Sequence, residues 1–461
     1  MLNLRLLLFL PALSGVEGLL VVQAQDSLNV RMLFHWDDPA IPIGVEDYQD
    51  QYNDIWGYAA NGREYAFLGS SLGVHVFDVT DPTNSVLVDH VPGRASGSGV
   101  IHRDYKVYRD HLFAVCDEGA SSLQVMDLQY LPDSVHLVYD SDAFLVRAHN
   151  IQIDTANARL YTCGGTTHFS IYDISDPGNP ALLSDCEADI PWWGAEVEYV
   201  HDCFVRDNIV WCNDQDGMHV VDFTDVENPV LLGSLTDYPG EGYNHSGWMN
   251  DDGTLYAMAD ETHGSPLKFV DPSDLGDLQV ISTVSSEVDP TSILHNPFFT
   301  GDLVHVAYYY DGYWLWDTTD PLQPALLGFY DTCVEPNTAG YRGAWGTYPF
   351  LPSGHILVSD MQTGLWVLDI AQATGVAGRL ATPAFRIAPT VTNGPVWVTP
   401  LSPATAKARI ELLSSSGQVL RSVQVSGAHE LDLSDLSDGL YLVRVSGGNE
   451  VHTQRVIKNS R

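Results

Sequence analysis

Hydrophobic runs along this chain close repeatedly on an aspartate followed by a turn. The segments are GVHVFDVTDP (73–82), SLQVMDLQYL (122–131), FSIYDISDPGNP (169–180), GMHVVDFTDVENP (217–229), PLKFVDPSDL (266–275), YWLWDTTDPLQP (313–324) and GLWVLDIAQA (364–373). Their aspartates are Asp78, Asp127, Asp173, Asp222, Asp271, Asp317 and Asp369, and successive subtraction gives spacings of 49, 46, 49, 49, 46 and 52. One repeat, residues 199–237, splits into the β-rich pieces CFVRD, NIVWCN, GMHVVDFT and PVLLGSLT, with Asp216-Gly217 and Asn228-Pro229 as punctuation. A period in the forties that carries four short strands is the signature of a propeller blade.

The predicted fold class is therefore all-β: a seven-bladed β-propeller over residues 27–373. The seventh repeat reaches VLDI (367–370) without the outer piece seen in NPALLSD (179–185), NPVLLGS (228–234) and QPALLGF (323–329). SLNVRMLFHWDD (27–38) resembles that missing piece. The ring is thus expected to be closed by an N-terminal strand. Residues 374–394, rich in Pro and Thr towards their end, read as a linker. Residues 395–461 alternate apolar and polar positions between Gly-containing turns and predict a small C-terminal β-sandwich.

Composition narrows the partners. Lys and Arg total 21 against 60 Asp and Glu, a net charge of −39. Such a surface repels nucleic-acid phosphates and anionic lipids and suits a salt-rich medium or divalent cations. Residues 1–24 read as a signal peptide: Arg5, the short apolar run LRLLLFLPAL (4–13), and small residues before a cleavage after Ala24. That run is too short to span a bilayer, and no transmembrane helix is predicted. Export permits disulfides, and Cys116, Cys163 and Cys212 are expected to occupy equivalent positions of three consecutive repeats (LFAVC, RLYTC, NIVWC). The candidate pairs are Cys186 with Cys203 and Cys163 with Cys212, against the alternative of free buried thiols.

The strongest chemical signal precedes the first strand of each repeat. Aligned on the strand that follows, the motifs YNDIWGY, IHRDYKVY, AHNIQI, VHDCFV, NHSGWM, LHNPFF and YRGAWGTY give one column: Asp54, Asp104, His149, His201, His245, His295 and Gly343. First strands of blades line the central channel, so four imidazoles and two carboxylates are expected to share one layer at its mouth. That set would take a divalent metal as cofactor (zinc, iron or manganese, with calcium for the carboxylates). Asn150, Asp202 and Asn296 would then orient the imidazoles from behind. A repeat protein also copies whatever residue satisfies one blade, so the column has a purely structural reading. His102, two residues before its column, reads as an ordinary side chain; Trp56, Trp248 and Trp345 are expected near the same layer as the walls of a ligand pocket. NDQDG (213–217) and MNDDGT (249–254) lack the bidentate glutamate of an EF-hand and read as hairpin turns.

The motif column and the closing runs together resemble the choice-of-anchor B family, whose propeller is built from LVIVD-type repeats. The resemblance rests on YNDIWGY with REYAFLGS (52–70), HRDYKVYRDHLFAV (102–115), AHNIQID (148–154), YVHDC (199–203), YNHSGW (243–248), LHNP (294–297) and YRGAWGTYPFLPSGHILVSDMQTGLWVLD (341–369). His102 departs from it, standing where an aromatic residue is expected before Arg-Asp. The family implies an exported cell-surface propeller. LLSSSGQVLRS (412–422), LDLSDLSDGLYLVRVS (431–446) and QRVIKN (454–459) resemble a type IX secretion sorting domain, which implies the type IX secretion machinery as partner and a secreted or outer-membrane cell-surface location. No GxSxG, P-loop or dinucleotide fingerprint is present. The leading reading is a binding or interaction module for an unknown surface ligand or protein. Its rival is a metal-dependent hydrolase that uses the histidine ring; a third is a calcium-stabilised adhesive spacer.

Overall fold

The computed structural model describes residues 27–44, 48–333, 335–371, 373, 385–388, 391–392, 394–400, 407–414, 419–437, 439–447 and 450–458. The predicted signal peptide and most of the predicted linker lie outside these residues. The chain divides into two compact units, Met1–Gly375 and Val376–Arg461.

The first unit is built from four-stranded antiparallel sheets that run inner to outer in chain order, except that Ser27–Leu28 adds a fifth strand beside Ala325–Tyr330 and one sheet takes its outer strand from the N-terminal end. A representative sheet contains Asp202–Arg206, Ile209–Asn213, Met218–Asp222 and Val230–Leu235. Inner strands touch in sequence: Tyr52–Ala60, Arg103–Tyr108, Asn150–Asp154, Asp202–Arg206, Asn244–Met249, Pro297–Thr300, Ala344–Tyr348, and then Tyr52–Ala60 again. The last of these sheets takes its outer strand from Arg31–Trp36, which pairs antiparallel with Gly364–Asp369, and Arg31 also meets Asp369 at 2.8 Å. Two single turns, Cys186–Asp189 and Trp193–Glu196, are the only α-helices among the described residues. Trp193 from the second turn is fully buried and stacks on Phe169 at 5.2 Å, filling the space between two neighbouring sheets.

Each recurring aspartate ends the third strand of its sheet and caps the turn that follows. Asp78, Asp127, Asp173, Asp222, Asp271, Asp317 and Asp369 each accept the backbone N–H two residues on, at 2.7–3.0 Å. This is the local Asx turn that makes aspartate favourable at a strand exit. Where a second aspartate follows three residues later (Asp81, Asp176, Asp225, Asp274, Asp320), it repeats the same bond. The rhythm is therefore a turn device, and it sets where every third strand stops.

The second unit packs two sheets against each other. One holds Phe385–Ala388, Pro395–Pro400 and His429–Asp432; the other holds Val391–Thr392, Lys407–Ser414, Val419–Ser426, Gly439–Gly447 and Glu450–Lys458. Val396, Val398 and Leu431 of the first meet Ile410, Leu412, Val443, Val445 and Val456 of the second in one core.

The Asp222 turn carries a test. Its carboxyl is held below the usual range first by the Thr224 side chain and then by the Thr224 N–H. A depressed carboxylate contributes stability that is present above the unfolded value of ~3.9 and lost as pH falls through the lower folded value. Asp222→Ala is expected to lower urea-unfolding stability by about 1 kcal/mol at pH 7 and to show a much smaller difference near pH 2.

Candidate functional site at the channel

The caps provide a ruler for the channel. Asp127, Asp173 and Asp222 lie opposite His111, Arg159 and Ile209 on the second strands. Four residues further on, Val115, Cys163 and Asn213 pair with Asp104, Asn150 and Asp202 on the inner strands. Those three inner residues therefore share one level, and His149 and His201 lie one residue before it. Ser246 opposite Ala259, and Gly346 opposite Ser359, extend that level around the channel.

The level with the histidines forms a rim of imidazoles. Ring centroids run His102 to His149 at 4.7 Å, His149 to His201 at 4.3 Å, His201 to His245 at 4.2 Å and His245 to His295 at 4.5 Å. Trp345 closes the circuit, 4.4 Å from His295 and 5.4 Å from His102. At the second blade the register position belongs to Arg103, whose guanidinium turns away to the carbonyls of Ser70 and Ala95. His102, beside it, takes the vacant place in the rim. It is a rim member rather than the ordinary side chain expected.

Asp54 and Asp104 correct the predicted column. They belong to the next level, with Asn150, Asp202, Ser246 and Asn296, where Lys106 also reaches in. Lys106 Nζ bonds Asp104 at 2.7 Å, and the other Asp104 oxygen accepts the Ile151 N–H. The misplacement is one residue, because aligning motif strings without strand pairing cannot resolve adjacent levels. Asn150, Asp202 and Asn296 accordingly do not stand behind the imidazoles. Two residues further along each strand, on the same face, come Trp56, Lys106, Gln152, Phe204, Trp248, Phe298 and Tyr348. Of the three tryptophans expected together, only Trp345 lies at the histidine rim.

Carboxylates that the sequence reading passed over face the rim. Glu118 Oε1 binds His102 Nδ1 at 2.7 Å, and Asp117 Oδ2 binds His149 Nδ1 at 3.0 Å. Glu261 accepts the Tyr309 hydroxyl at 2.5 Å and lies 3.8 Å from His245 Nε2. All three follow the second strand of a repeat, in CDEG (116–119) and ADET (259–262), a pattern visible in the sequence once the rim is known. His295 Nδ1 donates to the Trp345 carbonyl at 2.6 Å. His201 and His245 point Nδ1 towards the backbone of the next rim residue without closing a bond, and both are deeply buried. No hydrogen bond among the described residues engages Nε2 of any rim histidine.

Burial is the main force on protonation here. It holds His149, His201, His245 and His295 below the ordinary imidazole range, with neighbouring imidazoles adding to the effect at His201 and His245; His295 falls to about 3. Burial opposes protonation of His102 too, but its bond to Glu118 outweighs this and its pKa is raised. Burial pushes Glu261 up to about 7. In the level below, burial and then the Asp104 charge raise Asp54, and burial lifts Asp202 to about 7 against the pull of Lys106. Neutral imidazoles are the metal-ligating form. Two groups, His102 with Asp117 and His149, and His201 with His245 and Glu261, each offer three ligand atoms within 4.8 Å of one another. Ligands sharing a zinc at ~2.1 Å are at most about 4.2 Å apart, a spacing close to the 4.8 Å within which the atoms of each group lie. The acidic turns offer less, since Asp214 and Asn250 use their Oδ1 atoms on backbone N–H groups of their own loops.

The cysteines show the same one-residue offset. Counted from the strand residue opposite the aspartate, Cys163 lies four on, Cys116 five and Cys212 three. Adjacent strand positions face opposite ways, so the three are not equivalent. Neither predicted pair is bonded: Cys186, Cys203, Cys163 and Cys212 are all buried thiols, and the close approach is Cys163 to Cys203 at 3.6 Å.

Neutral rim histidines make a pH prediction for metal-free protein. A depressed imidazole contributes stability above its unfolded value of ~6.5, lost as pH falls towards the folded value. Wild-type stability in chelator is expected to drop between pH 6.5 and 4, and His201→Gln with His245→Gln is expected to flatten that slope in urea titrations.

Comparison with known proteins bears first on the tail: residues 393–459 match the family model described as the secretion system C-terminal sorting domain. No curated protein matches the chain in sequence. Among solved structures, the chain is similar to the β-propeller domain of Cps50 (Swd1) from Myceliophteria thermophila, at 10% identity and a TM-score of 0.49, covering 74% of this chain and 98% of that one. It is also similar to PorZ of Porphyromonas gingivalis, described as an essential bacterial surface component of the type-IX secretion system, at 13% identity and a TM-score of 0.48. That match covers 88% of this chain and 59% of PorZ. No helix among the described residues is long and apolar enough to cross a membrane. The sorting tail indicates a secreted or cell-surface protein handled by the type IX secretion machinery.

Proposed function

We propose that this chain is an exported binding module: a seven-bladed propeller over residues 27–373, built from LVIVD-type repeats as in the choice-of-anchor B family and delivered by the sorting domain at 395–461. Its first site is the histidine rim, which holds a divalent transition metal. The single observation that carries the reading is the circuit of five imidazoles whose Nε2 atoms have no hydrogen-bond partner among the described residues. Imidazole-rich sets with one or two carboxylates favour zinc, iron or manganese; calcium, which prefers all-oxygen ligands, fits the rim poorly. The closing role of the N-terminal strand is supported by its pairing with Gly364–Asp369.

Calorimetric titration of chelator-treated protein with zinc is expected to give saturable binding near one ion per chain. His201→Ala with His245→Ala should weaken it at least tenfold while the circular dichroism spectrum stays β-rich. Unchanged zinc affinity in that variant rules the rim out as the site. One observation favours the second reading, a metal-dependent hydrolase: Glu261, with a pKa near 7, can take or give a proton beside His245. Zinc-dependent cleavage of an activated ester that Glu261→Gln abolishes would support hydrolysis, and its absence in wild type leaves binding alone.

Ring closure has its own test. A chain beginning at residue 37 lacks the strand Arg31–Trp36 and is expected to melt several degrees lower than the chain beginning at residue 27 in a thermal scan. Equal melting temperatures would contradict the closing role.

A further inference from the structure

Beyond the rim, the channel opens on a different chemistry. Phe204, Trp248, Phe298, Trp56 and Tyr348 line one level: Phe204 to Trp248 is 5.0 Å, Trp248 to Phe298 4.8 Å, and Trp56 to Tyr348 5.0 Å. Phe350 packs beside them, 5.8 Å from Trp248 and 5.3 Å from Tyr348. Trp56, Phe204, Trp248, Tyr348 and Phe350 border a pocket of about 390 Å³ whose polar lining includes Lys106 and Gln152. That volume lies within the range of small-molecule sites, about 300–1,000 Å³. Lys106, Gln152 and Trp248 also line the polar level beneath, which holds Asp54, Asp104, Asp202, Asn150 and Asn296.

The charges of this site exclude two ligand classes. A cationic ligand would seek the aromatic faces, but the Lys106 ammonium already sits 4.4 Å from the Trp56 ring centroid and is bonded to Asp104. An anionic ligand would meet the Asp104 carboxylate, held by the one ammonium of the site, within a chain of net charge −39. A wholly apolar ligand would leave the floor dry with Asp54 Oδ2 and Asn296 Oδ1 unpartnered; both atoms are buried without a bond, and Asp54 is 8% exposed. What remains is a neutral molecule with apolar faces and many hydroxyls. A pyranose ring is such a molecule: its C–H faces pack on the π-faces of tryptophan, and its hydroxyls bond amide, ammonium and carboxyl groups.

We propose that the aromatic end of the channel is a binding site for a neutral saccharide, stacked on Trp248 and Trp56 and hydrogen-bonded through Lys106 and Gln152. The site is independent of metal at the histidine rim. Calorimetry of the full exported chain against neutral gluco-, manno-, xylo- and N-acetylglucosamine oligosaccharides tests it, with choline chloride and inorganic phosphate as rival probes. At least one neutral series is expected to bind saturably, Trp248→Ala should weaken that binding at least tenfold, and Gln152→Ala, which keeps the aromatic packing, several-fold. Zinc uptake in both variants should match wild type, showing that the channel remains folded. Binding of choline or phosphate alone, no binding of any neutral series, or sugar binding untouched by both variants would overturn the assignment.

Discussion

Antiparallel register in the inner strands is the constraint on which this molecule depends. Each third strand stops at an aspartate whose carboxylate caps the next turn, and pairing then transmits that stop inwards across the sheet. Because side chains alternate faces along a strand, register decides both which residues face the channel and at what depth. Three chemically distinct levels result: imidazoles, a carboxyl–amide–ammonium layer, and aromatics. A one-residue slip in any inner strand would bring a core-facing residue into the channel and break all three.

Electrostatics then separates the levels. Burial keeps four rim imidazoles neutral, so the rim behaves as a set of nitrogen lone pairs rather than as a positive ring. In the middle layer one ammonium stands among three carboxyls. Asp104 is held by Lys106, while burial raises Asp54 and Asp202 towards the neutral form. Mutual repulsion in that layer is thereby reduced without a second cation.

Much of this was legible in the sequence, down to a limit set by the period of a strand. The spacing of Asp78 to Asp369 predicted repeated four-stranded units because a turn cap and a hydrophobic run are local signals. His149, His201, His245 and His295 share a column because each stands one residue before the level of Asn150, Asp202, Ser246 and Asn296. Asp54, Asp104 and the cysteines were placed one residue off, since a motif string carries no record of its pairing partner. His102 was missed for a physical reason: Arg103 leaves the rim to bond Ser70 and Ala95, and nothing local announces that exchange. Glu118 and Glu261 meet His102 and His245 across single hairpins and Asp117 meets His149 of the next repeat, pairings that motifs aligned on the inner strands do not record.

If the rim is a coordination site and not only a stack of packed rings, it holds metal in the crystal. Anomalous diffraction from crystals grown with zinc, recorded on either side of the zinc edge, tests this most directly. Coordination by the rim predicts one strong peak at the channel axis with rim Nε2 atoms at ~2.0–2.1 Å. Peaks confined to surface carboxylates, with the rim empty at saturating zinc, would contradict it.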